Sequence, residues 1–390
     1  MTTATPSADT AHRVRAQSRG DDLHTGTALS QDVRSGRMVR LRRGVYVSPE
    51  DWLRSPPWRR HLLSVVATAM QEAEAVFCRE SALALHGVPL LEAPDAVHRR
   101  CTSRSAARRV PAPSMVGDRS AAAVRRMLAA TAPSGPAVPP ESVLAGLPTH
   151  RLEPTAPREM RRPEARRALR DGELIVPRQT LDGGAVPWCR ADVDGFTVEP
   201  LALAVVDTVP RLALAEGVVI LDAVLGGHTR TGVQVDGDEL ASWAERVPSK
   251  RLRARWERAL AAADPRAESP GESYSRVRIA ELGFGLPELQ SRIVVGGTTY
   301  RVDAEWRDVG EFDGTVKYTR AAELGGGDPV RTVYREKVRE DDIRSTGRAM
   351  VRWGWPELRR PELLARRLDA AGVPRRRAGR RGSVVGQRTG

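Results

Sequence analysis

Residues 301–317, RVDAEWRDVGEFDGTVK, constrain the fold more than any other segment because they place several acidic residues on two short strands. Asp303 and Glu305 alternate with apolar residues, which is the two-residue period of a β-strand. Residues 306–308 fit a connecting turn, and a second alternating segment follows at 309–313. The pattern therefore predicts a β-hairpin with acidic side chains on both strands.

The register of this hairpin decides where its carboxylates lie. If Glu305 pairs with Val309, Asp303 lies opposite Glu311, and Asp313 has the same parity as Glu311. Carboxylates that lie close together repel one another unless a cation lies between them, and ligation by oxygen alone suits magnesium or manganese. The solvent-exposed face of an ordinary amphipathic hairpin explains the same pattern, so both interpretations stay open.

An ordered series of motifs surrounds the hairpin. The motifs are GESYSRVRIAELG, LPELQ, RVDAEW, GEFDG, EKVREDDIRSTG and VRWGWPEL. The series resembles the restriction-endonuclease-like, PD-(D/E)XK superfamily, and within it the very-short-patch-repair endonuclease-like proteins. This resemblance implies a mixed sheet flanked by helices, with Mg²⁺ or Mn²⁺ as cofactor. The expected elements are helix 272–283, strands near 290–295, 299–305 and 309–313, helix 330–345 and strand 348–353.

The resemblance also implies roles for individual residues. The implied catalytic residues are Glu272, Asp303, Glu311, Asp313, Lys317 and Lys337, of which Glu272, Asp303 and Glu311 would form the metal site. The chain departs from the superfamily pattern where Glu-x-Lys is expected, because Asp313 stands in the place of the lysine. Lys317 or Lys337 would then stabilise the transition-state charge. Lys337 also fits a surface ladder of ion pairs with its acidic neighbours.

The segment 27–47, TALSQDVRSGRMVRLRRGVYV, has the pattern of a helix followed by a basic hairpin. That outline is typical of a winged helix, which places a helix in the major groove and a basic wing on phosphate. The arginines expected to contact DNA are Arg37, Arg40, Arg42 and Arg43. A small capping subdomain with solvated arginines is the alternative. From LRRGVYV to SALALHG the chain resembles the AbiEi-type antitoxin domain, which implies DNA binding and a toxin protein as partner.

These segments predict an α+β or α/β fold class. It would combine an N-terminal winged helix, a helical middle region and a C-terminal mixed sheet flanked by helices, as in restriction endonucleases. The expected divisions are a disordered leader at 1–22, a DNA-binding region at 23–100, a linker and mainly helical region at 101–268, an endonuclease-like domain at 269–370 and a disordered basic tail at 371–390.

The charge of the chain favours a polyanionic partner such as DNA. The net charge is +13 and the isoelectric point is about 10.7, which suits nucleic-acid binding. Arginine carries nearly all of this charge, since the only lysines are Lys250, Lys317 and Lys337. Richness in arginine, alanine, glycine and proline also follows from GC-rich coding, so charge alone does not decide the partner.

Several other classes of protein are disfavoured. Cys78, Cys101 and Cys189 are odd in number and widely spaced, which argues against a disulfide scaffold or zinc site and for a reduced cytoplasm. No apolar run approaches the roughly 18 residues of a membrane span, and the N-terminal residues lack the apolar segment of a signal peptide. No phosphate-binding loop or dinucleotide fingerprint indicates a nucleotide cofactor.

Two functions agree with these patterns. The first is a metal-dependent DNA endonuclease that binds DNA through its N-terminal region, and it is favoured by Glu272, Asp303 and Glu311. The second is a non-catalytic DNA-binding antitoxin or transcriptional repressor of a toxin–antitoxin system, and it is favoured by the missing motif lysine. On this balance the sequence leans toward the endonuclease.

Overall fold

A computed structural model gives the structure of most of the chain. The described residues are 15–16, 23–72, 75–101, 104–116, 144–153, 179–180, 196–229, 232, 234–245, 247–313 and 329–376. The chain divides into two compact units, residues 1–270 and 271–390. Each unit has helices and a sheet with both parallel and antiparallel pairs, so the protein is a mixed α/β protein. Within the described ranges, no helix is long and apolar enough to cross a membrane.

The N-terminal unit begins with a small sheet and three helices. These elements are β1 (Arg15–Ala16), α1 (Leu23–Ser35), β2 (Val39–Arg42), β3 (Val45–Val47), α2 (Pro49–Arg54) and α3 (Pro57–Gln71). The predicted helix and hairpin are confirmed, because α1 stops before Gly36 at φ 78° and β2 pairs antiparallel with β3. β1 pairs with β3, so the described part of the leader is a strand and the prediction of disorder is wrong there.

A six-stranded sheet forms the centre of this unit. Its elements are β4 (Val76–Phe77), α4 (Arg79–Leu85), β5 (Val97–Arg100), β6 (Arg108–Val110), β7 (Thr149–Leu152), β8 (Gln179–Thr180) and β9 (Thr197–Val198). The strand order is β6-β7-β5-β4-β9-β8. The expected division at residue 100 runs through this sheet, since β5 pairs with β7 and β4 with β9. These ladders join segments that are far apart in sequence, so composition along the chain gives no sign of them.

Four helices complete the N-terminal unit, namely α5 (Leu201–Thr208), α6 (Leu214–Gly226), α7 (Gly237–Ala244) and α8 (Lys250–Ala262). The predicted break at Pro210 is a 3₁₀ turn between α5 and α6. Proline lacks an N–H and cannot continue the ladder of helical hydrogen bonds. Apolar residues of α3, α4 and these four helices pack with β4, β5 and β9 into one continuous core.

The C-terminal unit and the helix that leads into it have the predicted order of elements. They are α9 (Pro270–Glu281), β10 (Glu288–Val295), β11 (Thr298–Glu305), β12 (Val309–Phe312), α10 (Pro329–Ser345), β13 (Met350–Trp353), α11 (Trp355–Arg359) and α12 (Pro361–Ala370). The sheet order is β10-β11-β12-β13. The first three strands are antiparallel and β13 is parallel to β12, which confirms the predicted mixed sheet.

Two hydrophobic clusters hold helices on this sheet. In one, Ile279 of α9 packs with Phe312 and Trp353 and with leucines of α11 and α12. In the other, Ile343 of α10 packs with Val302, Val309 and Ile293. The expected tail is ordered over its first residues, because Val373 is buried and Arg375 bridges to Phe284. The prediction of disorder from residue 371 is therefore wrong as far as residue 376, and residues 377–390 lie outside the described part.

Candidate functional site

The register of the acidic hairpin is the one that the sequence predicts. Glu305 pairs with Val309, and Ala304 pairs with Gly310. One step further along, this register sets Asp303 opposite Glu311, and there the backbone ladder ends. The side chain of Asp303 replaces it, since Oδ2 accepts a hydrogen bond of 3.2 Å from the N–H of Phe312. The two strands therefore separate at the position of the predicted acidic pair.

Glu272 is brought to the same end of β12 by close packing of α9. A Cβ at Gly271 would lie 1.9 Å from the ring of Phe312, so only glycine allows the helix start to approach so closely. Glu272 follows directly and is half-buried. Its Oε2 accepts a 2.9 Å hydrogen bond from the side-chain amide of Gln290. The first turn of α9 is thereby linked to β10.

Gln290 lies between Glu272 and Asp303. Its neighbours in β10 pair with residues 302 and 304, so the same register places Gln290 opposite Asp303. Gln290 has φ 55°, a left-handed conformation that costs residues with a Cβ about 1 kcal/mol or more. Sequence reasoning gave no role to this glutamine. Glu272, Gln290 and Asp303 are successive members of one row, which we call the acidic row.

Glu311 is buried, with 8% of its surface exposed, and two arginines neutralise it. Its Oε2 lies 3.3 Å from Nη2 of Arg352, the residue beside it on β13, and its Oε1 forms an ion pair with Arg339 of α10. The Oε1 contact lacks the geometry of a hydrogen bond. A carboxylate removed from water requires a nearby positive charge, and in this structure guanidinium groups supply it.

The other predicted catalytic residues are not brought into this arrangement. Asp313 ends β12 with its N–H on the carbonyl of Trp353, and its side chain is exposed. Lys337 is exposed on α10, and Lys317 lies outside the described residues. The predicted ion-pair ladder around Lys337 is wrong for Glu340, which instead pairs with Arg344 and Arg352.

The predicted metal ligands do not form a preassembled centre. Among the described residues, no group of three His, Cys, Asp or Glu side chains could hold a metal ion. Glu272 accepts from Gln290 and Asp303 accepts from Phe312. The carboxylate of Glu311 faces arginines. The prediction that Glu272, Asp303 and Glu311 together ligate one ion is therefore not met by the described geometry.

The four arginines predicted to contact DNA differ in exposure. Arg43 is exposed at the hairpin turn, and Arg40 is half-buried on β2. Arg37 is exposed and pairs with Asp32, its Nη2 lying 2.7 Å from Oδ1. These three side chains reach the surface of the N-terminal unit, where the sequence pattern expects them.

The prediction for Arg42 is wrong because its side chain is buried, with 5% of its surface exposed. Its guanidinium donates to the hydroxyls of Thr68 and Thr149 at 3.1 Å and to the carbonyl of Leu41 at 2.8 Å. Burial lowers the pKa of Arg42 to about 10, although Glu72 opposes the shift. Arg42 thus ties β2 to α3 and β7, and it does not contact phosphate. A β-bulge between Arg40 and Arg42 changes the alternation on which the prediction relied.

A buried ionic network in the N-terminal unit was not predicted. Both carboxylate oxygens of Glu199 accept from Arg100, and Asp207 pairs with Arg100, Arg79 and Arg211. Burial alone would raise the pKa of Asp207, but the three guanidinium groups hold it well below its usual range. For Glu199, burial outweighs Arg100 and the pKa is raised. The network joins β5, α4 and α5, so it explains Asp207 as a structural residue.

Comparison with known proteins finds no match to this chain, whether among protein-family models, curated proteins or solved structures. The function must therefore be argued from the residues of the two units themselves.

Proposed function

We propose that this protein binds DNA and hydrolyses its phosphodiester bonds, with a C-terminal unit of the restriction-endonuclease-like fold. The observation that carries the proposal is the acidic row. Glu272, Gln290 and Asp303 are linked in sequence-independent order at the point where β11 and β12 part, and Glu311 lies on the neighbouring strand. Strained glutamine backbone at this point supports a functional role, since such strain is concentrated at functional sites.

The donor set suits Mg²⁺ even without three protein ligands. Magnesium keeps several waters and is usually held by one or two carboxylates together with substrate phosphates. Asp303 and Glu311 would be those carboxylates, and the Oε1 of Glu311 is buried without a hydrogen bond in the described structure. Bound there, the ion would activate water and neutralise charge on the phosphate.

The chain's own residues perform the remaining tasks in this proposal. Gln290 holds the carboxylate of Glu272 in place beside the acidic row. Arg339 and Arg352 keep Glu311 ionised inside the protein until it engages the substrate site. Each guanidinium would then be free to accept phosphate, which it binds with paired N–H donors. Lys337 is exposed on α10 and would approach only the outer part of the substrate.

Nicking of supercoiled plasmid with Mg²⁺, Mn²⁺ or EDTA tests the activity. We expect nicking by the wild type with either metal and its loss in Asp303→Asn and Glu311→Gln. Asp341→Asn is the matched control, because Asp341 is an exposed acid on α10 of the same unit. Equal nicking by all variants would identify a contaminating nuclease and contradict the assignment.

The second candidate is a non-catalytic DNA-binding antitoxin or repressor with a toxin protein as partner. The pairing of Glu311 with two arginines favours it, because a carboxylate already neutralised by protein needs no metal ion. The exposed Asp313 in place of the motif lysine favours it as well. This candidate predicts duplex binding that is unchanged by Mg²⁺ and an absence of nicking under every condition.

The N-terminal unit contributes to DNA binding in both candidates. Arg40 and Arg43 are the accessible arginines of the β2–β3 hairpin, whereas Arg42 is a core residue. Arg40→Glu with Arg43→Glu should weaken duplex binding and flatten its salt dependence, since phosphate contacts release counterions. An unchanged salt slope would contradict a role for this hairpin in DNA binding.

A further inference from the structure

The long β10–β11 hairpin exposes one of its faces in a regular alternation. On β10, Arg292 and Val294 are exposed while Ser291 and Ile293 are buried. On β11, Arg301 is exposed and Val302 is buried. This face of the hairpin therefore carries its side chains to the surface of the C-terminal unit.

Two arginines lie directly opposite each other on this exposed face. The register pairs Arg292 with Arg301, and opposite positions in an antiparallel pair bring Cβ atoms to roughly 5 Å. Like charges at such positions destabilise a sheet. A pair of this kind is costly for the fold alone and is explained by an anion that binds both side chains.

The arginine pair borders the acidic row. Two residues along each strand from Arg292 and Arg301, the same register sets Gln290 opposite Asp303. Side chains two residues apart on a strand project to the same side of the sheet. A phosphate held by the arginines would therefore lie next to Asp303, on the surface where the proposed reaction needs the DNA backbone.

A third arginine continues the positive charge toward Glu311. Nη2 of Arg339 donates a 2.7 Å hydrogen bond to the backbone carbonyl of Arg301, and the same guanidinium pairs with Glu311. The three arginines are thus connected through the hairpin to the buried carboxylate. We call Arg292, Arg301 and Arg339 the arginine strip.

We propose that the arginine strip binds the sugar–phosphate backbone of duplex DNA and lays it across the acidic row, an inference that rests on the proposed function. Guanidinium groups favour phosphate because their planar forks donate paired hydrogen bonds. Contacts to phosphate position a duplex without reading its sequence. The strip therefore sets where along the backbone the protein acts, and it contributes affinity that does not depend on base sequence.

The test measures binding of a fluorescein-labelled duplex by the full chain in EDTA, over a range of salt concentrations. The variant is Arg292→Gln with Arg301→Gln. The matched control is Arg359→Gln with Arg360→Gln, which removes the same charge from exposed residues of the C-terminal unit away from this hairpin. Because each lost phosphate contact lowers the salt slope by about 0.9, we expect the slope to fall by about 2 in the variant. The control should keep the wild-type slope.

Three outcomes would overturn the proposal, and they differ in what else they affect. An unchanged slope in the variant removes the arginine strip alone and leaves DNA binding by the protein intact. Equal losses in variant and control indicate overall charge and also remove the strip alone. A wild type that does not bind duplex DNA removes the proposed function together with the strip. Melting of the variant no lower than the wild type shows that lost binding is not lost folding, as the like-charge pair predicts.

Discussion

The side-chain amide of Gln290 donates a 2.9 Å hydrogen bond to the carboxylate of Glu272, and it does so from a left-handed backbone with φ 55°. Left-handed conformations are unfavourable for glutamine because its Cβ crowds the following carbonyl oxygen. Surrounding structure must compensate for this cost. Pairing of the residues on either side of Gln290 with β11 supplies such support, so the strain is maintained in order to aim the amide at Glu272.

A pair of substitutions separates the strain from the hydrogen bond. Gln290→Ala and Gln290→Gly both remove the amide, but only alanine retains a Cβ. We expect the glycine variant to be more stable than the alanine variant by about 1 kcal/mol, because glycine adopts positive φ without steric cost. Urea unfolding measures this difference. Both variants should lose plasmid nicking to the same extent, and a fully active alanine variant would contradict the positioning role.

The elements of the C-terminal unit follow from local sequence, and its functional details do not. Alternating apolar residues predict β11 and β12, and the pairing of Glu305 with Val309 follows from the length of the turn. The left-handed Gln290 depends on how β10, β11 and α9 meet. The arginines facing Glu311 come from α10 and β13, 28 and 41 residues further along the chain. Hairpin parity carries no information about such contacts.

The N-terminal unit shows the same limit more strongly. Its helices and hairpin were predictable because α1, α3 and α6 have clear apolar faces and glycine or proline boundaries. Buried arginines contradict the rule that charged residues lie outside. The partners of Arg42 and Arg100 include Thr149 and Glu199, which are 107 and 99 residues away in sequence. Only the assembled sheet brings these groups together.

Loss of the carboxylate of Glu199 should destabilise the N-terminal unit strongly. Glu199 is fully buried and is held by Arg100, which is itself buried. Glu199→Gln leaves a buried guanidinium with incomplete compensation, a change that typically costs about 3–5 kcal/mol. Chemical denaturation followed by far-ultraviolet circular dichroism measures it. Glu257→Gln, at an exposed position on α8, serves as the control and should change stability by about 0.5 kcal/mol or less. A loss of under about 1 kcal/mol for Glu199→Gln would contradict this account.

The histidines of the N-terminal unit should make its stability fall in mild acid. Burial lowers the pKa of His61 to about 4, although the carbonyl of Ala96 opposes the shift. Burial, assisted by Arg79, lowers that of His98 to about 3. Below the ordinary value of about 6.5 the unfolded chain binds protons that the folded chain does not. Their stabilising contribution is therefore complete above about pH 6.5 and is lost as pH falls toward 4.

The His61→Asn variant isolates this effect. Glu80 and Glu199, whose pKa values are raised by burial, act in the opposite direction over part of the same range. For that reason the informative quantity is the difference in unfolding free energy between wild type and variant at each pH. We expect this difference to shrink from pH 7 to pH 4, because asparagine takes up no proton. A difference that stays constant with pH would show that His61 titrates normally.

Magnesium should stabilise the wild-type protein through Asp303 and Glu311 and leave Asp303→Asn unaffected. Only a ligand that binds the folded state raises the melting temperature, so paired thermal melts with and without Mg²⁺ measure occupancy without requiring activity. Asparagine is the informative substitution, because it removes the charge and keeps an oxygen that can accept from the N–H of Phe312. Asp303→Ala loses that hydrogen bond as well and should be less stable than Asp303→Asn by about 1 kcal/mol. Asp341→Asn, the exposed control on α10, should respond to Mg²⁺ as the wild type does. If neither Mg²⁺ nor Mn²⁺ shifts the wild-type melt, Arg339 and Arg352 are the permanent partners of Glu311, and the non-catalytic DNA-binding function replaces the endonuclease.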